Sequence, residues 1–173
     1  VCRDNNSSDT SVEIIRTLVP LAGIFVAKTN EGFSRAHNKT IRESDSEYVC
    51  VLNPDLVLDQ NYFNDCIAFL DTNPHAASVS GLLVRVQSLT ERPEHGIIDS
   101  SGIVLSITGR ATDANAGIPV SAFTETTKVI GVSATAAVYR RSALEDIALN
   151  RAGYSEYFDE DFFMYQEDVD LSL

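Results

Sequence analysis

Apolar residues recur along this chain at two alternating periods, near four and near two. Val12, Ile15, Leu18 and Val19 fall three or four apart behind Thr10-Ser11-Val12-Glu13. There a hydroxyl and a carboxylate three residues on read as a capping box, so a helix is predicted from Ser11. Pro20 stops it. Ile24–Ala27 reads as a strand, and Phe33–Glu43 as a helix with Phe33, Ala36 and Ile41 on its apolar stripe. Tyr48–Leu52 is almost wholly apolar, the pattern of a strand covered on both faces. Asn61–Leu70 reads as a third helix and Ala77–Val86 as a strand. With the residues before Asp4 as an opening strand, the order alternates strand and helix throughout. It predicts an α/β fold: right-handed crossovers and a mostly parallel central sheet flanked by helices.

After Val86 the rhythm breaks. Residues 87–96 are polar, Ile98–Gly109 and Lys128–Ser133 look like strands, and Ala111–Thr127 reads as a loop rich in Ala, Gly and Thr. Ser142–Leu149 is a short helix, Phe158–Tyr165 is aromatic and acidic, and Glu167 opens a last helix. The second half is therefore expected to hold a smaller antiparallel or mixed portion. The length of 173 residues suits one domain, 1–173. The opening "VCRDNNSSD" begins at Val, and the close "EDVDLSL" reads as the start of a helix, so the chain is expected to be a fragment.

Composition narrows the function classes. At 44% hydrophobic the chain can build a core. Lys and Arg total 13 against 25 Asp and Glu, a net charge of -12. Such a surface repels a phosphate backbone, which argues against a nucleic-acid binder. A small anionic substrate stays compatible if a metal ion or helix N-termini supply local positive potential. Cys2, Cys50 and Cys66 are odd in number and fit no zinc spacing; they read as reduced, packed thiols, as in a cytoplasmic protein. No apolar run approaches the roughly 20 residues of a transmembrane segment, and no signal peptide or lipidation motif is visible.

Three polar clusters are expected at strand ends, where open parallel sheets bind ligands. Asp4-Asn5-Asn6-Ser7-Ser8-Asp9 enters the first helix, so Asp4 could accept a hydrogen bond from a base N–H; an ordinary polar turn reads as well. An EF-hand fails, because Ile15 falls where the loop needs its last carboxylate. In Asn53-Pro54-Asp55, proline holds Asn53 extended and projects an amide and a carboxylate. These are hard ligands for Mg²⁺ or Mn²⁺, though Asn-Pro-Asp is also common turn chemistry. In Glu167-Asp168-Val169-Asp170, acids complement a helix N-terminus, or one of them serves as a general base. Together the three would line one edge of a single sheet.

The chain resembles family 2 glycosyltransferases, and within them the bacterial rhamnosyltransferase-like branch. The matching stretches are Asp4 through Asp9, Asn30-Glu31-Gly32-Phe33 with Asn38, Leu52-Asn53-Pro54-Asp55, Tyr139-Arg140-Arg141, and Phe158-Asp159-Glu160 through Asp170-Leu171. They come in the family's order over nearly the whole chain. The resemblance implies the GT-A fold, with residues 1–86 as a nucleotide-binding half and 87–173 as an acceptor-side half. It implies a nucleotide-diphosphate-sugar donor held by Asp4, Asn6, Asn30, Gly32 and Asn53. Asp55, with Asn53, would ligate Mg²⁺ or Mn²⁺ where the family has its "DxD". Asp168 would be the catalytic base, with Glu167 in reserve. The implied reaction is inverting transfer from a UDP- or dTDP-linked sugar, dTDP-rhamnose by branch. The acceptor would be a saccharide or lipid-linked saccharide in cell-surface polysaccharide synthesis, at the inner face of the membrane. The pattern departs at Arg3, where an apolar strand residue is usual, and at Ala134, where many members have Gly; almost nothing precedes Asp4, so the resemblance implies a core sheet lacking the family's full first strand. The alternatives are a sugar-nucleotide nucleotidyltransferase, whose Gly-rich basic loop is not visible, and a degenerate, non-catalytic transferase module, which should have lost its acid sites.

Overall fold

The structure, a computed structural model, describes residues 1–86, 88, 93–151 and 153–173. In chain order its elements are β1 (Cys2–Asp4), α1 (Ser11–Leu18), β2 (Ile24–Val26), α2 (Phe33–Arg42), β3 (Tyr48–Leu52), α3 (Tyr62–Thr72), β4 (Ser78–Val79) and β5 (Leu83–Arg85). Then come β6 (Ile97–Ser100), β7 (Ile103–Leu105), β8 (Ala111–Asp113), β9 (Ala136–Arg140), α4 (Arg141–Ile147), β10 (Leu149–Arg151), β11 (Tyr154–Glu156) and α5 (Glu167–Leu171). The chain divides into two compact units, Val1–Ser46 with Glu145–Glu167, and Glu47–Leu144 with Asp168–Leu173.

In the first unit β1 and β2 pair in parallel from Cys2↔Ile24 to Asp4↔Val26, joined through α1. The capping box does not form. Thr10 takes the N-cap position without a side-chain bond. Asp9 instead accepts from the Ser11 N–H at 3.0 Å and its hydroxyl at 2.6 Å, a local turn that competes with the cap. α2 buries Ser34, Asn38 and Ile41, positions i, i+4 and i+7 of one face. Tyr157 and Phe158 are buried in the same unit, where Phe158 meets Phe33 edge to face at 5.6 Å. β10 and β11 form an antiparallel hairpin.

The second unit is built on a three-stranded sheet in the order β3-β9-β4, with β9 antiparallel to both neighbours. β3 and β4 thus run the same way, as a crossover through α3 requires, but β9 stands between them. Among the described residues β1–β2 is the single parallel pair, so a mostly parallel central sheet is not what forms. The physical reason is the late strand, which takes the hydrogen-bonding positions that β3 and β4 would have offered each other. β3 matches its predicted bounds, yet Cys50 is exposed between buried Val49 and Val51, so it alternates rather than being covered throughout. Ala77–Val86 divides into β4 and β5, and Ile98–Gly109 into β6 and β7. The second break falls at Gly102, whose φ of +124° is one L side chains rarely adopt. β5–β6 and β7–β8 are antiparallel, as expected of a mixed second half. Ala111–Thr127 contains β8, while Lys128–Ser133 forms only a bridge from Gly131 to Ile103. Within the polar stretch 87–96, residues 87 and 89–92 lie outside the described residues.

The core under this sheet gathers Cys66, Leu70 and Val138, with Tyr48, Tyr62, Ala76 and Val79 packed against them. Arg140, at the end of β9, closes the C-terminus of α3: its Nη2 donates to the Leu70 carbonyl at 2.7 Å and its Nε to the Ala76 carbonyl at 3.3 Å. A cation there meets the free carbonyls and the negative end of the helix dipole.

Candidate active site

In the first unit β1 ends on Asp4, which is 6% exposed. Its Oδ2 accepts from the N–H groups of Asn6 at 3.1 Å and Ser7 at 3.0 Å, folding the loop back on the strand tip. Asn6 adopts φ +71°, a left-handed conformation that Asn tolerates. Oδ1 of Asp4 takes no hydrogen bond among the described residues, so one carboxylate oxygen is left for a ligand. Asn5, rather than Asn6, makes the side-chain links. Its amide donates to Asn30 Oδ1 at 2.9 Å and to the Gly32 carbonyl at 3.1 Å, and its oxygen accepts from the Glu31 N–H at 2.8 Å. Asn30 Oδ1 also receives the Gly32 N–H at 2.9 Å. The structure therefore joins Asp4, Asn30 and Gly32 into one hydrogen-bonded corner.

Gly32 has φ +77°, and a Cβ there would fall 2.6 Å from the Phe163 carbonyl oxygen. That carbonyl accepts the Phe33 N–H at 2.9 Å. The close backbone approach that glycine permits is thus made by the chain's own Phe163. Buried Asn38 fixes the neighbouring acidic segment: its Nδ2 donates to the Phe158 carbonyl at 2.7 Å and to Glu160 Oε1 at 3.2 Å. Its Oδ1 accepts from the N–H groups of Tyr157 at 3.1 Å and Phe158 at 2.9 Å. Burial alone would push the Glu160 carboxyl up, but the bonds from Asn38 and Arg35 outweigh it and hold it below its ordinary value.

In the second unit Asn53 follows the last residue of β3, and its N–H donates to the Thr135 carbonyl at 2.9 Å. Asp55, one residue beyond Pro54, is exposed. Neither the Asn53 amide nor the Asp55 carboxylate has a hydrogen-bond partner among the described residues. Asp168, half-buried in the first turn of α5, accepts the Ala134 N–H on Oδ2 at 3.1 Å and the Val169 N–H on Oδ1 at 2.9 Å. Ser133 and Thr135 brace this turn through their hydroxyls at 3.0 Å. Two successive residues thus hold both acid motifs of the unit, Thr135 through its carbonyl to Asn53 and Ala134 through its N–H to Asp168.

The three clusters do not share one sheet edge. Asp4 ends a strand of the two-stranded sheet, Asn53 follows a strand of the three-stranded one, and Asp168 stands at a helix start. Among the described residues no group of three or more His, Cys, Asp or Glu side chains could hold a metal ion. What Asn53 and Asp55 offer fits a hard cation that keeps most of its positions for water and phosphate oxygens, the habit of Mg²⁺.

A model of the family described as "Glycosyl transferase family 2" matches residues 1–148. The chain belongs to glycosyl transferase family 2. No curated protein matches this family 2 chain. Among solved structures, S. aureus TarS 1-349 aligns at 19% identity and TM-score 0.55, over 98% of this chain and 43% of that one. The same protein in complex with UDP aligns at 18% and 0.57 over the same shares. S. aureus TarS aligns at 21% and 0.55, over 96% of this chain and 25% of that one. At these identities the likeness is one of fold, and the chain spans less than half the length of the structures it matches.

Sequence reasoning missed Asn5, because the cluster "DNNSSD" gives its two asparagines equal standing. It also missed the function of Ala134 and Thr135. They act through backbone atoms that every residue but proline carries whole, so their side chains gave no signal.

Proposed function

We propose that this chain is the donor-binding and catalytic part of an inverting glycosyltransferase. It would pass a sugar from a UDP- or dTDP-linked donor to the hydroxyl of a saccharide or lipid-linked saccharide. The observation that carries the reading is the Ser133–Thr135 turn, which fixes Asn53 and Asp168 together within one unit. The fold likeness to a structure in complex with UDP supports a nucleotide-linked donor.

In this reading Asp4 receives the N3–H of uracil or thymine on its Oδ1, Asn6 lies beside it, and the corner that Asn5 ties to Asn30 and Gly32 shapes the nucleotide's surroundings. Asp55, with Asn53 beside it, holds Mg²⁺ or Mn²⁺. When bound, the cation offsets charge on the diphosphate leaving group. Asp168 Oδ2 removes the proton of the acceptor hydroxyl, which attacks the anomeric carbon from the face opposite the diphosphate. The attacking oxygen gains the C–O bond, the diphosphate leaves with its electron pair, and the configuration inverts. The Ala134 N–H, donating to Oδ2, keeps Asp168 oriented. Glu167 is 7% exposed, whereas Asp168 is half-buried, which favours Asp168 for reaching an acceptor. Residues 1–86 hold the nucleotide contacts, and 87–173 supply the catalytic base on the acceptor side. Rhamnose from dTDP-rhamnose is the donor sugar that branch resemblance favours, and cell-surface polysaccharide synthesis on the cytoplasmic side is the matching context. Among the described residues no helix is long and apolar enough to cross a membrane.

The test is calorimetric titration of the protein with UDP, dTDP and GDP, with and without Mn²⁺. Tighter binding of UDP or dTDP with the metal is expected. Absence of nucleotide binding under every condition would overturn the proposal.

A further inference from the structure

β4 is one edge strand of the second unit's three-stranded sheet; among the described residues it pairs only with β9. Along its open side runs a cleft of about 860 Å³, within the range of ligand sites. One wall is the end of α3 and the stretch from Asn73 to Leu82; the other is the extended segment from Thr126 to Val132, where a strand was expected and none forms. The Phe69 and Phe123 side chains line it.

Two features set its chemistry apart. Hydroxyls dominate its polar lining, among them Ser78, Ser80, Thr126 and Thr127. Each hydroxyl can both donate and accept, which suits a ligand that is itself a polyol. Among the described residues the lining also contains no Asp or Glu, although acids outnumber bases 25 to 13 over the whole chain. Its ionisable side chains are Lys128 and His75, and Lys128 has no carboxylate partner among the described residues. In a chain of net charge -12 this is a place where, among the described residues, an anion meets a cation without a carboxylate partner.

The cleft also leads to the acid motifs of its own unit. β4 runs in the direction of β3, so Ser80 and Gly81 leave the sheet at the end where Asn53 does. On the other wall Gly131 lies so close to Ser172, the residue after α5, that a Cβ would fall 1.8 Å from its Oγ, and Ala134, three residues on, bonds Asp168. We propose that this cleft binds the acceptor as an extended, negatively charged saccharide, its hydroxyls on the Ser and Thr lining and its anionic substituent on Lys128. This inference rests on the transferase reading above, and adds to it the acceptor's chemical class and its path.

The test is a glycan array of neutral oligosaccharides and their phosphorylated or carboxylated counterparts, probed with the protein while UDP and dTDP binding are measured in parallel. Capture of anionic members is expected. Lys128→Glu should weaken that capture at least tenfold and leave UDP binding unchanged. Thr127→Trp, on an exposed loop, should block it by filling the cleft. Equal capture of neutral and anionic members, or unchanged capture by Lys128→Glu and Thr127→Trp, would overturn the assignment, as would no capture while UDP still binds. Absence of both UDP and dTDP binding in the parent protein would instead count against the transferase reading. Anionic capture without binding of either nucleotide would leave the cleft assigned and the enzyme reading refuted.

Discussion

Replacing Asn38 probes how the first unit holds its acidic segment. The side chain is completely buried and makes four hydrogen bonds, three to the backbone of Tyr157 and Phe158 and one to Glu160. Asn38→Leu keeps the branched shape of the side chain but leaves two buried N–H groups and one carbonyl without their partner. A lost buried hydrogen bond costs about 1–3 kcal/mol when its other half stays unsatisfied. Partial relaxation and shared solvent access reduce the sum, so a loss of about 3–5 kcal/mol is expected. Asn38→Asp separates the two arms. It can still accept from Tyr157 and Phe158, but it cannot donate to the Phe158 carbonyl, and it sets a second carboxylate beside Glu160. It too should destabilise, and less at pH 5 than at pH 8, where both carboxylates are ionised. Urea unfolding followed by far-ultraviolet circular dichroism measures both variants. A change under about 1 kcal/mol for Asn38→Leu would refute the clamp.

Gly32→Ala forces a left-handed φ on an L side chain and drives its Cβ against the Phe163 carbonyl, so about 2 kcal/mol or more of destabilisation is expected in the same urea assay. Burial lowers the His37 imidazole to about 4, so between pH 6.5 and 4 the unfolded chain takes a proton the folded one refuses. The stability this contributes is whole above pH 6.5 and lost as pH falls toward 4, about 3 kcal/mol at most. His37→Phe, packed between Phe33 and Phe158, should therefore lose less stability than the parent from pH 7 to 4.5. Asp55→Ala should remove the metal dependence of nucleotide binding in calorimetry; an unchanged Mn²⁺ response would take Asp55 out of the metal site.

Much of the architecture was legible locally, and the failures share a cause. α2 begins at Phe33 and β3 spans Tyr48–Leu52 because periodicity and the flanking turns are local signals. β9 was read only for its Tyr139-Arg140-Arg141 motif. Nothing in "AAVYR" says that it inserts between β3 and β4, a pairing between segments more than 50 residues apart. With that pairing unseen, the sheet was expected to be parallel and the three acid clusters to share an edge. The cap at Thr10 failed on a smaller scale: the spacing to Glu13 was right, but Asp9 offered Ser11 a competing carboxylate. Within the candidate site the sequence singled out Asp4, Asn53, Asp55 and Asp168 by residue type. The structure supplied what residue type cannot, the backbone of Ala134 and Thr135 that links two of them.

The most direct measurement is single-turnover sugar transfer by Asp168→Asn beside the parent, with donor affinity determined separately. A general base contributes about 10²- to 10⁴-fold, so the variant should lose transfer by that factor while binding UDP or dTDP with Mn²⁺ nearly as tightly as the parent. Transfer at the parent's rate would contradict the account, because the carboxylate fixed by Ala134 would then have no part in moving the proton.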